Sequence, residues 1–163
     1  SNAKLSDNVA LFHATHGNLG TGAIGDVALS AARKRMRVQK KLDKKTPMNL
    51  APAFLMVPAA LETTAMKYLA NIMAAKAGDV NPFASSVELL VEARLDATSE
   101  TEWYQSADPS RIDTIEYCYL EGEEGAYMEA RPGFTTDGVE LKVRLDVGAG
   151  LIDYRGLDKS SGV

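Results

Sequence analysis

Val139, Leu141, Val143, Leu145 and Val147 alternate without a break with Glu140, Lys142, Arg144 and Asp146. Only an extended strand puts such a series on one face, because successive strand side chains point to opposite sides. The pattern therefore predicts a half-buried strand, with Gly138, Gly148 and Gly150 punctuating its ends. Two further segments carry the same period. From Val87 to Leu95, Val87, Leu89, Val91, Ala93 and Leu95 oppose Glu88, Glu92 and Arg94. From Ile112 to Leu120, Ile115, Tyr117 and Tyr119 share one side, and Cys118 lies on the other. Phe54–Val57 reads as a short buried strand.

Two helices are expected. One is capped by Asp26 and runs to about Leu42, with basic residues at its C-terminal end that favourably oppose the helix dipole. The other starts after Pro58 and carries Leu61, Ala65, Tyr68, Leu69, Ile72 and Met73 along one face, with Gly78 as its stop. The stretch from His13 to Gly25 reads as loop, Asn81-Pro82 as a turn, and Asp96–Ser110, with Trp103, Tyr104 and Pro109, as a structured loop. The small, polar end from Asp158 to Val163 is expected to be mobile. Two helices and four or five strands, not arranged as repeated strand-helix units, predict an α+β fold.

A chain of 163 residues with 45% hydrophobic and 25% charged residues can bury a core and is not a disordered polymer. Its longest apolar stretch, Ala51–Leu61, is cut by Pro52 and Pro58, so no membrane segment is expected. The single cysteine, Cys118, excludes an internal disulfide and a multi-cysteine zinc site. Ser1-Asn2-Ala3 resembles a tag remnant and is set aside.

The formal net charge of −4 conceals a separation. Between Arg33 and Lys45, eight basic residues stand against Asp43 alone, a net charge of +7. Between Ser86 and Glu129, twelve acids stand against Arg94 and Arg111, a net charge of −10. Such a distribution describes either a solvated helix face beside acidic strands or two complementary surfaces through which copies attract one another. On the second reading the candidate contacts are Arg33, Arg37, Lys40, Lys41 and Lys44 on one side and Glu121, Glu123 and Glu124 on the other. The basic segment could also touch phosphate, but it holds no aromatic residue for stacking on bases.

Few residues suggest catalysis. Gly20-Thr21-Gly22-Ala23-Ile24-Gly25 matches G-x-G-x-x-G and opens a helix, yet only a weak strand lies upstream, and the acid near the expected spacing, Asp43, sits among lysines. His13 and His16, three apart, could share a face and hold a metal, but no third ligand stands out. Cys118 has no base near it in sequence and reads as a buried, inert thiol. No catalytic, cofactor or metal residues are assigned.

The order of segments carries more. Leu11-Phe12-His13 with His16-Gly17-Asn18-Leu19 precedes Leu50-Ala51-Pro52, Leu55-Met56-Val57-Pro58 and Leu61-Glu62. Val91–Asp96, Trp103-Tyr104, Ala107-Asp108-Pro109, Tyr117–Gly122, Lys142–Asp146 and Asp153-Tyr154-Arg155-Gly156 follow. This series resembles the C-terminal half of tailed-phage major capsid proteins of the Mu-like major head subunit group, as found in phages and prophages. The resemblance implies a Hong Kong 97-type coat fold that assembles with copies of itself into rings and shells; the alternative to such a structural protein is a small enzyme such as a capsid-maturation hydrolase or nucleotide-binding domain. It implies a homo-oligomer in the virion capsid, made in the bacterial cytoplasm, with no cofactor, no membrane partner and a weak contact with packaged DNA. On this division residues 4–49 form a loop and basic helix on the peripheral side, 50–136 an axial-type domain, 137–157 a return strand and 158–163 a flexible tail. The family's N-terminal arm, extended loop and most of its long helix would precede residue 4.

Overall fold

A computed structural model describes residues 2–70, 86–133, 135 and 137–163. The expected helix positions Ile72 and Met73, the stop at Gly78 and the turn at Asn81-Pro82 lie outside the described residues. Contacts divide the chain into two compact units, residues 1–114 with 152–163, and residues 115–151.

The first unit is a five-stranded sheet with two helices. Its strands are β1 (Leu19–Gly20), β2 (Pro52–Val57), β3 (Glu88–Val91), β4 (Trp103–Ala107) and β9 (Leu157–Ser160), in the order β1-β9-β4-β2-β3. β1 runs parallel to β9 and β2 parallel to β3, while β4 is antiparallel to both its neighbours. Helices α1 (Asp26–Val38) and α2 (Glu62–Leu69) share a core with the sheet. Leu29 and Ala32 of α1 and Ala65 of α2 pack with Leu55, Val57 and Trp103. Farther along α1, Met36 packs with Leu50 and Ala107. Burying these side chains is what holds the helices in place, since isolated helices of this length are marginal in water.

Several expectations are corrected here. α1 starts at Asp26 but ends at Val38, four residues early. Gln39 is extended, its carbonyl accepts from Met48 N–H, and Lys41 N–H donates to Thr46 O, so residues 39–48 form a closed loop. Lys40, Lys41 and Lys44 thus lie beyond the helix. Asp26 is the first helical residue, with Gly25 at the cap, and makes no side-chain cap. Pro58 leads into a 3-10 turn, Ala59–Leu61, before α2. β3 is shorter than its pattern: Glu92 accepts from Arg94 N–H and turns the chain into the 3-10 turn Ala93–Leu95.

The stretch expected as a structured loop contains the middle strand of the sheet. In β4 the inward residues are Trp103, Gln105 and Ala107, and the amide of Gln105 hides the apolar alternation. The expected mobile tail is also overturned. Leu157–Ser160 forms β9 between β1 and β4, with Asp158 and Ser160 fully buried. Asn2 and Ala3, set aside in the sequence, are bonded to the unit: Asn2 exchanges hydrogen bonds with the Phe12 backbone, and Ala3 O accepts from Leu11 N–H.

The second unit consists of two antiparallel ladders. β5 (Ile115–Tyr119) pairs with β8 (Val147–Leu151), and β6 (Tyr127–Pro132) with β7 (Val139–Arg144). The expected single strand Val139–Val147 is therefore two, separated at Leu145-Asp146. β6 escaped the sequence reading, because Glu129 and Arg131 alternate with Ala130 and Pro132, which signal a strand poorly. The expected half-burial of these strands is absent: among the described residues of this unit none is buried.

Candidate functional site

The basic segment is built by two different devices. On α1, Arg33 Nη2 donates to Ser86 Oγ at 3.1 Å, and Arg37 Nη1 donates to Asn49 Oδ1 at 2.7 Å. Beyond the helix, Asp43 folds the loop around its own carboxylate, which accepts from Lys45 N–H, Thr46 N–H and the Thr46 hydroxyl. These bonds, that of the Thr46 hydroxyl first, lower the Asp43 carboxyl to about 2. The one acid of the segment is thereby engaged by the loop's own donors while it stays exposed. Lys40, Lys41 and Lys44 stay exposed and make no ion pair among the described residues. The three lysines line one cleft of about 530 Å³ together with His16, Tyr154 and Arg155.

Of the acidic candidates, Glu121 and Glu124 are exposed and make no ion pair among the described residues, whereas Glu123 pairs with Arg144 of β7. The candidates thus separate into groups with free charge and groups already engaged.

Arg35, which the sequence did not single out, has the most demanding environment in the segment. Its Nε and Nη2 donate to Asp158 at 2.8 and 2.7 Å in a two-bonded pair. Burial raises the Asp158 carboxyl above its ordinary value, against the opposing effect of Arg35. Arg35 follows Ala28 and Ala32 on the core-facing side of α1, and that spacing is the only trace of its role in the sequence. Asp158 sits in a run of small polar residues and leaves no trace.

The glycine motif is explained by the same pair. A Cβ at Gly20 would lie 2.1 Å from Arg35 Nη2, so glycine there clears the path of the guanidinium. Gly22 N–H donates to Val163 O, and Gly22 O accepts from Trp103 Nε1 at 3.1 Å and Ser160 Oγ at 2.9 Å. The loop's polar groups at Gly22 thus serve the fold and do not present a phosphate cradle.

His16 is buried, its ring stacked on Tyr154 with centroids 3.9 Å apart. Nδ1 lies 3.1 Å from Leu11 O and Nε2 2.9 Å from Asp7 Oδ2, so both nitrogens face acceptors. His13 caps the turn Ala14–His16 by accepting from Thr15 N–H. Among the described residues no group of three or more His, Cys, Asp or Glu could hold a metal. Cys118 is exposed on β5, not buried as expected, because the ladder that carries it is uncovered. No described helix is long and apolar enough to cross a membrane.

No curated protein matches the chain. A solved structure described as "Satellite phage P4 procapsid including size determination (Sid) protein" aligns with 88% of this chain and 46% of its own, at 8% identity and a TM-score of 0.43. The chain therefore spans less than half the length of that protein. A family model described as "Phage capsid protein" matches residues 1–157. That match covers both units, the helices with their basic loop and the uncovered ladders; the chain belongs to the phage capsid protein family.

Proposed function

We propose that the chain is a structural subunit of a capsid shell that acts by associating with copies of itself through complementary charged surfaces. The observation that carries this is the loop of residues 39–48. A loop that engages its only carboxylate with its own N–H and O–H donors, and leaves Lys40, Lys41 and Lys44 exposed with no ion pair among the described residues, presents net positive charge. The exposed Glu121 and Glu124 are its proposed counterparts on a neighbour. A head-to-tail ring needs unlike surfaces on one subunit, and this distribution supplies them. On this reading the fold is of the Hong Kong 97 type, the group is Mu-like, and residues 50–136 form the axial-type part. A weak contact of the same lysines with packaged DNA is compatible with their charge.

The test is assembly against salt, followed by light scattering and electron microscopy. Association should weaken steeply as salt rises, and Lys40→Glu with Lys41→Glu should suppress it. Association indifferent to both salt and charge reversal would overturn the charged contact.

A further inference from the structure

The β6–β7 ribbon separates its two faces completely. The cross-strand pairs Met128–Val143, Ala130–Leu141 and Pro132–Val139 alternate with Tyr127–Arg144, Glu129–Lys142 and Arg131–Glu140. Side chains of paired residues share a face, so the first three pairs form an apolar side and the other three a charged side. On the charged side the groups are satisfied within the unit. Arg131 pairs with Glu140 at 2.8 Å and Lys142 with Glu129 at 3.9 Å. Arg144 pairs with Glu123 and lies over the Tyr127 ring, 5.3 Å from its centroid.

The apolar side has no such satisfaction. Leu141 is 78% exposed, Met128 75%, Val139 68% and Val143 64%. A lone two-stranded ribbon is marginal in water, and strict alternation has no use in a strand wet on both sides. The pattern describes a covered face, and no described residue of this unit covers it.

We propose that a second copy of this chain covers it, apolar ribbon against apolar ribbon. This rests on the reading of the chain as a self-associating coat subunit and names a surface that the charged segments do not include. Electrostatics permits the contact. Residues 127–144 hold three acids and three bases, and the pairs above keep most of that charge on the far side. Two copies therefore meet without like-charge repulsion. The area also fits. At roughly 100 Å² for each of the six side chains, a copy offers on the order of 600 Å², somewhat below the ~800 Å² per partner of a standard interface. Such a face is too small to lock a dimer permanently and large enough to orient neighbours that other contacts also hold. The contact is isologous, with the same patch used by both copies.

Sedimentation velocity over a concentration series tests this, with wild type, Leu141→Lys and Lys142→Glu compared. Leu141→Lys should weaken association at least about tenfold, and Lys142→Glu, on the charged side, should not weaken it through this face. Fluorescence of Trp103 checks the folding of the unit that buries it, and far-UV circular dichroism compared with wild type checks that the ribbon's strands persist in each variant. A second readout is thiol labelling in a Cys118→Ser background. Labelling of Leu141→Cys should slow as chain concentration rises, and that of Lys142→Cys should not. Association unchanged by Leu141→Lys, with labelling at 141 independent of concentration, assigns the face to another occupant and overturns the proposal while the coat reading stands. A wild type that stays monomeric throughout overturns both.

Discussion

Arg35 and Asp158, 123 residues apart in the chain, form a two-bonded ion pair that joins helix α1 to strand β9 beneath the loop of Gly20–Gly25. Asp158 is fully buried, while the Arg35 side chain keeps 23% of its surface. The two partners are therefore unequal. Arg35→Ala strands a carboxylate in the core and should cost about 3–5 kcal/mol. Asp158→Ala leaves a guanidinium that can still reach water and should cost less. Replacing both, as Arg35→Met with Asp158→Leu, should recover much of the loss. Chemical denaturation followed by Trp103 fluorescence measures all three.

The same pair sets a pH dependence. The Asp158 carboxyl is raised in the folded state, so the native protein holds this proton more tightly than the unfolded chain. Its contribution is fully present below the ordinary aspartate value and is lost as pH rises through the folded one. Asp158→Asn should remove that fall from the stability profile, and a parallel profile for wild type and variant would contradict it.

Asp43 behaves in the opposite sense. Its folded value of about 2 lies below the ordinary 3.8, so its support of the lysine loop is present above the ordinary value and lost as pH falls toward 2. Amide exchange at Lys45 and Thr46 should accelerate over that range. Asp43→Ala should accelerate it at neutral pH while leaving the protection of Trp103 unchanged.

Gly162 has φ +76°, and a Cβ there would come within 1.8 Å of Thr101 O. Gly162→Ala should displace the C-terminal residues and release the bond from Gly22 N–H to Val163 O. A loss of more than about 1 kcal/mol is expected, since both the backbone conformation and the space exclude a side chain. Thermal unfolding measures it.

Cys118 is exposed, so one equivalent of a thiol reagent should react with the native chain at the rate of an accessible thiol. Reaction only after denaturant is added would show that the β5–β8 ladder is covered in the free chain.

The strongest sequence signal and its most misleading consequence come from the same residues. The alternation of Val139–Arg144 correctly identifies a strand, because a period of two is a local property of the extended backbone. The half-burial inferred from it fails within one chain, because burial depends on what packs on the face. β4 shows the converse. Its position at the centre of the sheet is decided by pairing with β2 and β9, and Gln105 in its inward row conceals the strand. Lys40, Lys41 and Lys44 are readable as a basic cluster, but not as a loop, since the chain beyond α1 is closed by bonds from Met48 N–H to Gln39 O and from Lys41 N–H to Thr46 O.

The mixture of helix and strand, the start of α1, the separation of basic and acidic segments and the ordered series of motifs that resembles the phage capsid family are all legible in the residues. These depend on neighbouring residues and on composition. Three features came only from the folded chain: residues 157–160 are an interior strand, Arg35 reaches Asp158 through space left by Gly20, and no described residue of the second unit is buried. The first two join segments far apart in the chain, the third depends on what packs on a face, and neither leaves a periodic mark in the residues themselves.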